Sequence, residues 1–170
     1  MTKATRCALA FLLLAGISSA GDKKAGISIS FSSEDPRTHF GPRRNVRDAR
    51  TAITSRDGST SLLLMNDVVA VQLTDRVLEK AKTNEDANLL EEIIASGVRL
   101  AIGKAVEYPI AAIRSAEIRD GVLVLTNDRN KPVFTEVKIN GTEVFRDFAI
   151  GDAARFVNAF RAAKNLTGNR

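Results

Sequence analysis

Four arginines within eight residues form the strongest candidate for chemistry in this sequence. We call residues 43–50 the arginine segment, after its members Arg43, Arg44, Arg47 and Arg50. A guanidinium group can bind a phosphate or a carboxylate through two parallel hydrogen bonds. The segment is therefore a candidate anion-binding site. The alternative is a solvated loop, because runs of like charge usually repel one another and stay hydrated.

Residue types that support other chemistry are scarce. His39 is the only histidine, so a Ser-His-Asp arrangement would have to use it, and no Gly-x-Ser-x-Gly turn accompanies it. Glu91 and Glu92 are adjacent on a predicted helix, where their side chains diverge by about 100° and form a solvated face. We expect no catalytic residue, no metal site and no cofactor. A hydrolase that uses carboxylate or Ser-Lys chemistry is the alternative.

The first twenty residues have the three-part pattern of a secretory signal. Lys3 and Arg6 make a basic start, residues 8–17 are apolar, and small residues end at Ala20. The apolar run is far shorter than the roughly 20 residues that span a bilayer. We expect cleavage after Ala20, export to the periplasm or the medium, and no transmembrane helix in the mature chain. Cys7 would be removed with the signal, which leaves no cysteine for disulfides or metal binding.

The basic excess of the mature chain lies near its start. The signal contributes two of the 25 basic residues and none of the 20 acidic ones. Residues 21–60 contain eight basic and five acidic side chains, whereas residues 61–170 are balanced. An excess this local differs from the broad basic face of nucleic-acid-binding proteins. We expect no nucleic acid partner. The anionic partners outside the cytoplasm are lipid headgroups, envelope polymers and acidic proteins.

Alternating and continuous apolar runs predict the elements that position the arginine segment. Apolar and polar residues alternate over residues 27–32, as in a strand. Residues 33–49 show neither the period of a strand nor that of a helix, and therefore predict a long loop. Residues 51–73 predict three deep strands, joined by turns at Asp57-Gly58 and Asn66-Asp67. Helices are predicted from Asp75 and again from Thr83, and the second has an apolar stripe: Leu90, Ile93, Ile94, Val98, Ala101 and Ile102.

After Pro109 the sequence predicts strands again, and then a closing helix. Hairpin turns are indicated at Asp120-Gly121 and Asn140-Gly141, since both positions of a type I′ turn need positive φ. The closing helix is predicted to start at Asp152 as N-cap and to bury one face: Phe156, Val157 and Phe160.

The stretch YPIAAIRSAEIRDGVLVL and the closing helix resemble the second half of the bacterial pleckstrin-homology-like fold. The resemblance covers the C-terminal third best and the strands before Thr74 loosely. It implies a curved antiparallel barrel plugged by a C-terminal helix. The helical insert from Asp75 to about Gly103 is longer than the usual connection in the family. Arg43, Arg44 and Arg47 lie at a place comparable to that of the basic residues by which some members hold inositol phosphates, but their spacing is not diagnostic, so no residue role is carried over.

We therefore predict an α+β fold: a curved antiparallel sheet or partly open barrel with a central helical insert and a closing C-terminal helix. Residues 1–20 are the predicted signal, 21–49 a strand with the basic loop, and 50–170 one α+β domain. The predicted function is an exported, non-enzymatic binding or scaffold module of the cell envelope. In a third hypothesis, residues 21–49 are a disordered tether, and the folded domain that follows binds its partner through an apolar surface.

Overall fold

The computed structural model describes residues 29–30, 35–83, 103–134, 138–139 and 142–167. The fold is α+β, its strand pairs are antiparallel, and a helix ends it, as the sequence predicts. Its strands and helices are, in chain order, β1 (Ile29–Ser30), β2 (His39–Pro42), β3 (Thr51–Thr54), β4 (Thr60–Leu64), β5 (Val68–Leu73), α1 (Asp75–Thr83), β6 (Lys104–Pro109), β7 (Ile113–Arg119), β8 (Val122–Asn127), β9 (Lys138–Ile139), β10 (Thr142–Glu143) and α2 (Ile150–Thr167).

The central element is a five-stranded sheet in the order β2-β6-β5-β4-β3. Strands β3, β4 and β5 are consecutive hairpins, and the turn at Asp57-Gly58 uses a positive φ of 72° at Gly58. The remaining strands form two smaller sheets, β7-β8 and β1-β9-β10. The described strands do not close into a barrel.

Both faces of the five-stranded sheet are buried, which explains the nearly continuous apolar runs of β4 and β5. On the first face, Leu62, Val71 and Val106 belong to the main core, together with α2 and the β7-β8 hairpin. The second face carries a smaller apolar cluster, namely Leu63, Met65, Val68, Ala70 and Ala105. Because side chains alternate along a strand, each of these strands contributes to both clusters.

Helix α2 closes the first face of the sheet. It contacts β3, β4, β7 and β8, and its buried face contains Phe156, Val157 and Phe160, as predicted. The predicted start is wrong. The helix begins at Ile150, and Asp152 lies in its first turn, where the positive end of the helix dipole favours a carboxylate.

Other predictions can also be compared with the described residues. The loop prediction for residues 33–49 is wrong at His39–Pro42, which forms β2 and pairs with β6. Strands resume at Lys104 rather than after Pro109. The turn at Asp120-Gly121 is confirmed, with φ values of 50° and 76°.

Some predictions lie outside the described residues. They are the predicted signal at residues 1–20, the second predicted helix over residues 84–102, and the turn at Asn140-Gly141. The strands that flank this turn, β9 and β10, pair with each other.

Candidate functional site

The arginine segment crosses the five-stranded sheet. It leaves β2 at Pro42, which is paired with Lys104, and enters β3 at Thr51, which is paired with Leu64. Strands β2 and β3 are opposite edges of the sheet, and the register places these two pairs at opposite ends of the strands. The segment therefore runs diagonally across one face of the sheet, and polar contacts identify this as the second face.

Arg44 anchors the segment to the middle of that face. Its Nε and Nη2 donate to the two carboxylate oxygens of Glu107 at 2.6 and 2.9 Å. Its backbone N–H donates to Gln72 Oε1 at 2.8 Å, and its backbone carbonyl accepts from Gln72 Nε2 at 2.9 Å. Glu107 and Gln72 are only 2% and 3% exposed. Since a buried charge is stable only when it is paired, Arg44 compensates the carboxylate that the sheet buries.

The environment of Glu107 is completed by β2. The hydrogen bond to the Glu107 carboxylate raises the pKa of Arg44 and keeps its guanidinium charged. His39 Nε2 lies 3.5 Å from Glu107 Oε2 at the edge of the sheet. A Cβ atom at Gly41 would collide with the carboxyl group of Glu107 unless that side chain moved, so glycine leaves room for the carboxylate where it stands.

Arg43 and Arg50 fix the two ends of the segment. Arg43 donates to the carbonyl of Leu73 at the end of β5 and to Asp75 at the start of α1, both at 2.6 Å. At the other end, the Arg50 backbone N–H donates to the carbonyl of Leu64 at 2.8 Å, and its Nε donates to Asn66 Oδ1 at 2.8 Å.

Between these anchors the segment forms a short 3-10 turn, Val46–Asp48. Asn45 caps the turn: its Oδ1 accepts from the backbone N–H of Arg47 at 3.0 Å. The Val46, Arg47 and Asp48 side chains are exposed. Within the described residues, the Arg47 guanidinium makes no hydrogen bond or ion pair. The turn therefore presents an exposed cation on a backbone that is held from both sides.

An open cavity of about 400 Å³ lies beside this turn and is lined by Arg43, Arg44, Asn45, Val46, Arg47 and Asp75. Its lining therefore includes three arginines and one aspartate. The sequence predicts the four arginines as one group, and the structure divides them. Arg43 and Arg44 are held by acidic partners, whereas Arg47 and the exposed Arg50 retain charges without an acidic partner among the described residues.

A second polar cluster was not predicted from the sequence. Asp35 Oδ2 accepts from Tyr108 Oη at 2.8 Å, from Arg37 Nη2 at 2.7 Å and from Asn127 Nδ2 at 3.1 Å. The guanidinium of Arg37 also lies over the Tyr108 ring, 5.3 Å from its centroid, and donates to Asp128 at 2.8 Å. These contacts fasten the residues before β2 to β6 and to the end of β8. No pattern in the sequence predicts contacts between residues that lie so far apart in the chain.

The pKa values in this cluster are shifted. Hydrogen bonds from Arg37 and then Tyr108 hold the pKa of the Asp35 carboxyl well below its usual value, although burial opposes them. Burial and the hydrogen bond to Asp35 raise the pKa of the Tyr108 hydroxyl to about 12. The ionised carboxylate and the neutral phenol are thus the forms that the fold stabilises.

We predict that Asp35 contributes to the pH dependence of stability on the acid side. Its pKa is depressed in the folded state, so its contribution is complete above the unfolded value of about 3.9 and is lost as the pH falls below it. Replacing Asp35 with asparagine should flatten the loss of unfolding free energy between about pH 5 and about pH 2.5, measured by urea denaturation. Asp120→Asn, at the exposed hairpin tip, is the matched control. Equal acid losses in wild type and Asp35→Asn would contradict the prediction.

The contacts of Ser55 and Ser59 are relevant to the hydrolase alternative, which would use carboxylate or Ser-Lys chemistry. Ser55 Oγ and Ser59 Oγ donate to Asp57 Oδ1 at 2.6 and 2.8 Å, and the Ser59 backbone N–H donates to the same oxygen at 2.9 Å. These bonds hold the turn between β3 and β4.

Within the described residues, no group of three or more histidine, cysteine, aspartate or glutamate side chains is placed to hold a metal ion.

Comparisons with known proteins assign neither a family nor a function to this site. No protein-family model matches the chain, and neither the curated proteins nor the solved structures contain a match. Among the described helices, none combines the length and apolar character needed to cross a membrane. The resemblance to the pleckstrin-homology-like fold stays a prediction.

Proposed function

We propose that this protein is an exported, non-enzymatic binding module of the cell envelope, and that the arginine segment is its contact for an anionic partner. The proposal of export is based on the signal pattern of residues 1–20. The proposal of binding has one principal support: Arg47 is exposed beside an open cavity, on a turn whose two ends are fixed to the sheet.

Fixation of the segment favours binding because less conformational entropy is lost when a ligand is held. Gln72 holds the backbone of Arg44 through two hydrogen bonds, and Leu64 accepts from the backbone of Arg50. A freely mobile loop would have to order its backbone on binding. The described residues 35–50 are joined to the sheet, which also argues against a tether in this part of residues 21–49.

The charge available to a ligand is smaller than the sequence suggests. Asp75 offsets Arg43, and Glu107 offsets Arg44. Arg47 and Arg50 therefore supply most of the attraction, while Arg44 can add its Nη1, which Glu107 does not use. We expect a weak, salt-dependent site for phosphate-like groups rather than a tight one.

The test is binding of soluble tripolyphosphate, measured by isothermal titration calorimetry at low and high salt. Changing both Arg47 and Arg50 to alanine should weaken binding roughly tenfold, because two exposed ion pairs, each contributing less than about 1 kcal/mol, are lost. The matched control changes Arg114 and Arg161, two exposed arginines on β7 and α2, to alanine and lowers the net charge equally. The control should bind like wild type apart from a small non-specific loss. Equal weakening in both double variants would overturn the proposed site.

A further inference from the structure

The arginine segment exposes an apolar side chain next to its cations. Val46 is 42% exposed, lies between Arg44 and Arg47 in the chain, and lines the cavity with both. Ala49 of the same segment packs against the apolar cluster on the second face of the sheet, whereas Val46 is not among the residues of that cluster.

The pairing of one exposed valine with arginines helps to distinguish the anionic partners. A soluble polyanion gains nothing from a valine. A standard protein interface buries about 800 Å² on each partner around an apolar core, and a single half-exposed valine provides little of that core. A bilayer surface offers both chemistries in adjacent layers, since headgroup phosphates lie directly above the acyl chains.

We propose that the arginine segment docks on the surface of a membrane containing anionic lipid, with Val46 entering the headgroup region and Arg47 and Arg50 contacting lipid phosphates. This inference rests on the proposed function, because it names the partner of the same site. The attraction is reduced by two acidic side chains, Asp48 in the turn and Asp75 beside the cavity. Docking should therefore be reversible and sensitive to salt.

The experiment measures co-sedimentation of the protein with phosphatidylcholine vesicles that contain or lack phosphatidylglycerol. Wild type should bind only the anionic vesicles. Each arginine that reaches an anionic surface contributes about fivefold, so the Arg47→Ala, Arg50→Ala variant should lose about twenty-five-fold. Val46→Ser should weaken vesicle binding about three- to fivefold, because a half-exposed valine no longer leaves water. Val46→Leu should strengthen it.

Two controls separate the apolar contact from other effects. Ile150 is 57% exposed at the start of α2 and does not line the cavity, so Ile150→Ser should bind vesicles as wild type does. Binding of tripolyphosphate should be unchanged in Val46→Ser, since a small polyanion makes no use of the valine. Urea denaturation of each variant verifies that the fold is retained.

The outcomes distinguish the two proposals. If wild type ignores anionic vesicles, or if Val46→Ser and Val46→Leu bind them as wild type does, the membrane inference is overturned. Tripolyphosphate binding that still depends on the arginines would then leave the proposed function standing. If the double arginine variant retains tripolyphosphate affinity, the proposed function fails and takes the membrane inference with it.

Discussion

Replacing Arg44 with alanine is expected to lower the free energy of unfolding by about 4 kcal/mol, because it leaves the Glu107 carboxylate buried without its partner. Glu107 is 2% exposed, and both of its oxygens accept from Arg44. His39, at 3.5 Å and half exposed, is a weak substitute. The backbone bonds between residue 44 and Gln72 can persist in the variant, so the loss reports mainly on the ion pair.

The prediction is tested by urea denaturation with Arg47→Ala as the matched control. Arg47 lies in the same segment, and its side chain makes no bond within the described residues, so we expect a change of less than about 0.5 kcal/mol there. A double variant, Arg44→Leu with Glu107→Leu, should recover much of the loss, because an apolar pair removes the buried charge along with its partner. Equal stabilities of Arg44→Ala and Arg47→Ala would refute a structural role for this pair.

This result also decides how the binding experiments are designed. A variant that lacks Arg44 would lose affinity whether the arginine contacts the ligand or only holds the segment. Arg47 avoids this ambiguity because its side chain makes no bond within the described residues. Arg50 largely avoids it because its backbone bond to Leu64 persists when its side-chain bond to Asn66 is lost. The arginine segment thus contains two kinds of arginine, and only the exposed kind can test binding.

The sequence predicts local structure well and the partners of the arginines poorly. Strands β3, β4 and β5 were predictable because Asp57-Gly58 joins neighbouring apolar runs. Strand β2 was missed because the residues HFGP include glycine and proline, and the strand exists only through its pairing with β6. Pro42 is tolerated there because β2 is an edge strand.

Likewise, the composition of the sequence identifies the arginines of the candidate site but does not predict which residues they contact. The arginines attract notice because they are clustered, yet Glu107 is 63 residues away and Gln72 is 28 residues away. Glu107 lies on β6, a strand that begins before the point where the sequence predicts strands to resume. The arginine segment covers the face of the sheet that carries Glu107, which is why this carboxylate is buried.

Replacing Gly41 with alanine is expected to lower the free energy of unfolding by about 3 kcal/mol, through a steric conflict with Glu107. The added Cβ would lie 2.3 to 2.5 Å from three atoms of the carboxylate group. The carboxylate cannot withdraw easily, because Arg44 holds both of its oxygens. The backbone of Gly41 does not have a positive φ, so the cost comes from contact rather than from backbone strain.

A double-mutant cycle separates this conflict from an intrinsic need for glycine in β2. In a Glu107→Ala background the carboxylate is gone, and Gly41→Ala should then cost less than about 1 kcal/mol, a coupling of about 2 kcal/mol. An unchanged cost in that background would mean that the methyl group meets something other than Glu107. The coupling would establish that Gly41 and Glu107 depend on each other: the glycine admits the carboxylate, and that carboxylate is the partner of Arg44, from which the exposed turn extends.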